Sequence, residues 1–131
     1  MTVPEYAIGT TLAVPYDQAV TRVKEALKDE GFGVMSEIDV QATLKAKLGV
    51  EGDHYLIIGA CNPPLAHRAL QAEPDLGLFL PCNVVVYEAP DGTRVNAIDP
   101  RSMLATIANP VLDEIAGEVK ERFTRVIAAL R

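Results

Sequence analysis

Tryptophan is absent from the 131 residues, and four Tyr and three Phe make up the 5% aromatic content, so the chain has no row of stacking platforms for single-stranded nucleic acid. Positive charge is also scarce. Twelve Lys and Arg stand against 18 Asp and Glu for a net charge of −6, and the basic residues are scattered from Arg22 to Arg131 without forming a stripe. Electrostatic steering and counterion release therefore favour neither nucleic acid nor an anionic membrane as a partner. The longest apolar stretch, Leu76 to Val86, is broken by Pro81 and Asn83 and is too short to cross a bilayer. Met1 to Glu5 has no basic segment leading into an apolar run, so no secretory signal is expected and the cytoplasm is the expected location. Gly-rich phosphate loops, Gly-x-Ser-x-Gly and His-Glu-x-x-His are missing too, which leaves no catalytic residue and no cofactor to assign.

What is present is ordinary globular composition, 49% hydrophobic and 23% charged. A chain of this length is expected to form one domain, residues 1–131, and to bury about two thirds of its unfolded surface. Tyr6 to Val14 is rich in strand formers and ends at Pro15. Tyr16, Val20, Val23 and Leu27 then recur at helical spacing, with Arg22, Lys24 and Lys28 opposite and Gly31 as a left-handed stop, which predicts a helix over Asp17 to Glu30. From Gly33 to Leu48 the apolar residues fit a period of two and also a spacing of four. Asp39 as a cap, Lys45 and Lys47 in a last turn and Gly49 as a stop favour a strand to Ile38 followed by a helix over Val40 to Leu48.

Tyr55 to Cys61 reads as an interior strand, after which Asn62 caps a helix over Pro64 to Glu73. Leu76 to Leu80 and Asn83 to Glu88 read as strand on either side of Pro81, with a bend at the proline. Pro90-Asp91-Gly92 is a turn, and Thr93 to Ile98 returns as its hairpin partner. A short helical turn around Met103 follows, and Asn109-Pro110 opens the most clearly amphipathic helix, with Leu112, Ile115, Val119, Phe123, Val126 and Leu130 on one stripe. The order of elements predicts an α+β class, a two-layer fold whose mostly antiparallel sheet is backed on one face by helices. Such a sheet leaves a face or edge open, and few charges protect it, so a homodimer through that surface is expected.

The most unusual local sequences are Gly59-Ala60-Cys61-Asn62-Pro63-Pro64 and Leu80-Pro81-Cys82-Asn83-Val84, two Cys-Asn pairs at strand ends beside proline. If their strands are antiparallel neighbours, the thiols lie at one end of the sheet; if parallel, at opposite ends, and the connecting length permits either. Cys61 precedes a capped helix, whose dipole could lower its pKa, but cysteine is more often a buried filler of small core spaces. The two cysteines match no zinc-site or Cys-x-x-Cys spacing. His67, one turn beyond Asn62, could act as base or ligand beside Cys61, although a solvated helix surface is its ordinary place. His54 reads as an exposed loop residue, and Asp99-Pro100-Arg101 as a turn in preference to an anion site.

These two Cys-Asn segments, with Glu30-Gly31-Phe32-Gly33-Val34 upstream and Ala97-Ile98-Asp99-Pro100 downstream, resemble the bacterial and archaeal family called domain of unknown function 302 over nearly the whole chain. The resemblance implies a compact α+β fold, one antiparallel sheet backed by helices, grouped with TATA-binding-protein-like architectures. That likeness is architectural and does not transfer DNA binding. It also marks Cys61, Asn62, Pro63, Pro81, Cys82 and Asn83 as positions to test. The expected function is that of a non-enzymatic small-ligand-binding or assembly module whose partner is a second copy. The alternative is a thiol-based redox or soft-metal-binding protein using Cys61 and Cys82, with Asn62, Asn83 and His67 as the neighbouring candidates.

Overall fold

The structure, a computed structural model, describes residues 3–131. Five strands, β1 (Ala7–Leu12), β2 (Gly33–Asp39), β3 (Tyr55–Cys61), β4 (Cys82–Ala89) and β5 (Gly92–Ile98), form one sheet in the order β1-β5-β4-β3-β2. Every pairing is antiparallel, which fulfils the α+β expectation. The helices are α1 (Tyr16–Asp29), α2 (Val40–Leu48), α3 (Pro63–Ala72), α4 (Pro100–Leu104) and α5 (Pro110–Leu130).

Four of the helices begin where an Asx side chain can replace a missing backbone partner. Asp39 accepts from Ala42 N, Asn62 from Leu65 N, Asp99 from Arg101 N and Asn109 from Val111 N, each satisfying one of the unpaired N–H groups of a first turn. Prolines at the first positions of α3, α4 and α5 cost nothing there, because those nitrogens would have no helical acceptor. The cap at Asp39 and the left-handed Gly49, at φ 68°, resolve the ambiguous segment as strand followed by helix.

One expected strand is absent. Leu76 to Phe79 belongs to a 3-10 helix over Pro74–Phe79, with Leu80 following it, because Pro74 starts a helical turn and the segment pairs with no strand; only Leu76 is buried in it. The bend expected at Pro81 is instead the point where this 3-10 segment passes into β4, across a cis Leu80–Pro81 bond.

Alternation along the strands sends Leu12, Leu56, Ile58, Ala60, Val84, Val86, Val95 and Ala97 to the inner face, where α1 and α5 cover them. Helix α5 contributes eight buried residues, and its Phe123 stacks on Phe32 at 4.7 Å between ring centres. The sheet and α1 are also tied by Lys24–Glu37 at 2.6 Å, and the turn after α1 is held by Arg122 Nη1 donating to Glu30 O at 2.7 Å. Gly31 is required there: its φ is 83°, and a Cβ would press on Asn62 and Arg122. The outer face carries Ile38, Ile57 and Val85 in one register row and stacks Tyr55 on Tyr87 at 5.1 Å.

Because Phe123 is fully enclosed between the sheet and the neighbouring helices, Phe123→Ala should lower unfolding free energy by about 3–5 kcal/mol with the helix content of the folded state retained. Chemical denaturation followed by circular dichroism measures this, and a loss below about 1 kcal/mol would show that the interior relaxes around the deletion.

Candidate functional site

The antiparallel pairing of β3 with β4 decides where the cysteines go. Ala60 is opposite Cys82, so Cys61 is one residue beyond that pair, at the same end of the sheet. Both line a cavity of about 300 Å³ at that end, closed by the sheet on one side and by α3, the 3-10 segment, α4 and α5 on the others. Its lining includes the short side chains of Ala60, Ala66, Ala69 and Ala116 beside the larger Phe32, Leu65, Leu104 and Ile115. Met35 and Met103 bring two thioethers to the lining that also holds the two thiols.

Asn62 is the single polar side chain of this wall apart from the thiols. It is 8% exposed, and its side-chain oxygen is committed to Leu65 N at the start of α3. No charged residue lines the space. The electrostatics follow from that poverty. Burial pushes the Cys61 thiol above its ordinary value, and Cys82, 9% exposed, is pushed up to about 11 by burial and then by the nearby Cys61. The lowering that a helix N-terminus could give Cys61 is overcome by desolvation, so both groups are neutral thiols at physiological pH.

Of the residues read as candidates, Cys61, Asn62 and Cys82 share this cavity. His67 does not reach it: it is exposed on α3, because the helix turns Leu65 and Ala69 inward and His67 away. Asn83 also lies elsewhere. It is exposed opposite Gly59 on the outer face, as the alternation of β4 demands once Cys82 and Val84 point inward. Pro81 packs on Gly59, where a Cβ would lie 2.6 Å from the proline ring. Pro63 starts α3 in an exposed position.

Sequence reasoning missed the rest of the lining, above all Met35, Met103 and Ala116, since these positions come together only through packing. The signal available was the run of small residues on the apolar face of α3. His54 is exposed in a loop as expected, its ring stacked on Tyr16 at 4.7 Å and its Nδ1 and backbone N both 2.7 Å from Glu88 Oε1; these hydrogen bonds hold the Glu88 carboxyl below its usual range. This cluster is at the opposite end of β3 from the cysteines. No group of three or more His, Cys, Asp or Glu placed to hold a metal occurs among the described residues. No helix among them is long and apolar enough to cross a membrane.

The fold and cavity define a two-layer α+β protein with an apolar chamber at one end of an antiparallel sheet. Residues 8–130 match the family described as "Domain of unknown function DUF302", and the chain belongs to that family. A solved structure described as an uncharacterized conserved protein DUF302 from Bacillus stearothermophilus is similar at 29% identity, covering 98% of this chain and 100% of that one with a TM-score of 0.89. No curated protein matches the chain.

The thiol of Cys82 ties stability to alkaline pH. Its folded pKa of about 11 lies above the ordinary 9.0, so the unfolded chain gives up this proton first. The stabilisation is complete below pH 9 and is lost as pH rises toward about 11, by up to about 3 kcal/mol for this shift. Urea midpoints measured across that range should fall in the native protein and fall less in Cys82→Ala. An equal decline in both would assign the alkaline sensitivity to other groups.

Proposed function

We propose that the protein is a non-enzymatic, cytoplasmic small-ligand-binding module, folded as one unit, that takes the apolar part of a small molecule into the cavity beside Cys61 and Cys82. The observation that supports this reading is the cavity itself: about 300 Å³, at the lower end of ligand-pocket sizes, with a wall that carries no charge. Water entering an apolar space of this kind finds few hydrogen-bonding partners, so an apolar occupant that displaces it is favoured. Unionised thiols suit such an occupant, because they pack as small apolar groups. A neutral naphthylamine dye should bind at one molecule per chain with enhanced fluorescence, and Ala69→Phe or Ala116→Phe should remove that binding while the protein stays folded. Unchanged dye binding in both variants would place the ligand elsewhere and sink this reading.

A second reading, soft-metal or redox use of the thiols, is favoured by one observation, the four sulfur-bearing residues Met35, Cys61, Cys82 and Met103 in the lining of one cavity. The raised thiol pKa values weigh against it at neutral pH, since thiolate is the ligand and the nucleophile. Native protein should therefore be alkylated slowly at pH 7, Cys61 ahead of the more buried Cys82. Stoichiometric monovalent copper retained by the purified protein and lost in Cys61→Ala would reverse the order of the two readings.

We also propose that a second copy covers the outer face of the sheet. Ile38 is exposed, Ile57 and Val85 are half-buried in the same row, and β2 is an edge strand along which every residue is exposed. Edge or face pairing about a two-fold axis removes that surface from water. Sedimentation at micromolar concentration should give twice the 14.1 kDa of the chain, and Ile57→Glu should return it to the single mass. A single mass for the native protein counts against the dimer.

A further inference from the structure

The cavity is not sealed, and its opening is as apolar as its interior. Met35 and Leu70 line the space and yet are 67% and 39% exposed, so they form part of the rim. The 3-10 segment forms another part: Gly77 and Leu80 line the cavity, while Leu78 and Phe79 between them stand out at 86% and 38% exposure. Leu78 is the most exposed large apolar side chain among the described residues, and nothing within the fold requires it to be there. A segment anchored by Leu76 and presenting Leu78 and Phe79 beside the mouth extends the apolar path outward.

We propose that the ligand is a slender amphiphile that enters with its apolar end first, leaves its polar end in water at the mouth, and is gripped where it emerges by Leu78 and Phe79; this rests on the ligand-binding reading above. The wall carries no charge, and its one amide, Asn62, has its oxygen occupied by Leu65 N and its Nδ2 beside Gly31, so the lining offers too little to replace the hydration of a buried hydroxyl, carboxylate or ammonium. The space holds on the order of ten to twenty non-hydrogen atoms. A folded peptide segment is too bulky, and a lone ion would leave most of the volume empty. An alkyl or similar unbranched chain fits both the size and the continuous apolar path from Ala69 to Leu78.

A series of linear alcohols read by calorimetry on the full chain tests this. Affinity should rise about fourfold per added methylene from butanol upward, the increment expected for transferring each methylene from water. Octanediol, which must bury one hydroxyl, should bind at least about tenfold more weakly than octanol. Leu78→Ser with Phe79→Ser should weaken decanol about tenfold, since the chain is gripped at the mouth where its hydroxyl end emerges; both positions are exposed, and circular dichroism verifies that the fold is kept. Binding of octanol and octanediol with equal affinity, or decanol affinity indifferent to the double substitution, overturns the end-first amphiphile while the cavity remains a binding site. Failure of every alcohol to bind, with the Ala69→Phe protein indistinguishable from the native one, overturns the ligand-binding reading as well.

Discussion

Helix α5 and the inner face of the sheet share one apolar contact, and the other elements take their places from it. Eight side chains of α5 are buried there, with Phe123, Ile127 and Leu130 enclosed almost completely against α1 and the strands. At about 25 cal/mol per Å² this burial is the main favourable term available to a chain with no disulfide, and it forces the strands to present alternate residues inward. Where α5 passes the cavity, its Ala116 and the lining residues Ala60, Ala66 and Ala69 have short side chains, which leave space unfilled. The cavity is thus a consequence of where small residues lie along an otherwise continuous interior.

The chemistry of the site follows from the same arrangement. A thiol in water would ionise in mild alkali, but Cys82 is placed against the inner sheet face where an anion has no solvation, so its proton is held to about pH 11. Asn62 serves two elements at once: it ends β3 and caps α3, which fixes the corner on which the cavity wall is built. At the first of the two Cys-Asn segments the asparagine is thus a structural corner, and both thiols line the apolar cavity. The likeness to the Bacillus stearothermophilus protein extends over the whole fold, so the topology that creates this end of the sheet is shared between the two chains at 29% identity.

Much of the fold was legible in residue order. Asp39, Asn62 and Asn109 each declared a helix start because an Asx side chain followed by a helix former has a local partner, the N–H two or three residues on, whereas Asp99, read as a turn, caps α4 in the same way. The stripe of α5 and the Pro90-Asp91 hairpin were equally local, and so was the paired Cys-Asn pattern that marks the family. Leu76 to Leu80 was misread because an apolar run of that length looks the same in a strand and in a short helical turn. Only the presence or absence of a neighbouring edge distinguishes them.

The sequence by itself determined the α+β class, the helix boundaries and the candidacy of Cys61, Asn62 and Cys82, since periodicity, caps and turns act over a few residues. The tertiary structure alone decided that β3 and β4 are antiparallel, which brings the cysteines to one end of the sheet and turns Asn83 to the other face. It also decided that His67 points to solvent and that Met35, Met103 and Ala116 join a wall with residues far away in the chain. Strand pairing and packing are set by burial summed over the whole molecule. A cavity is the part of that sum left unfilled, and no single stretch of sequence encodes it.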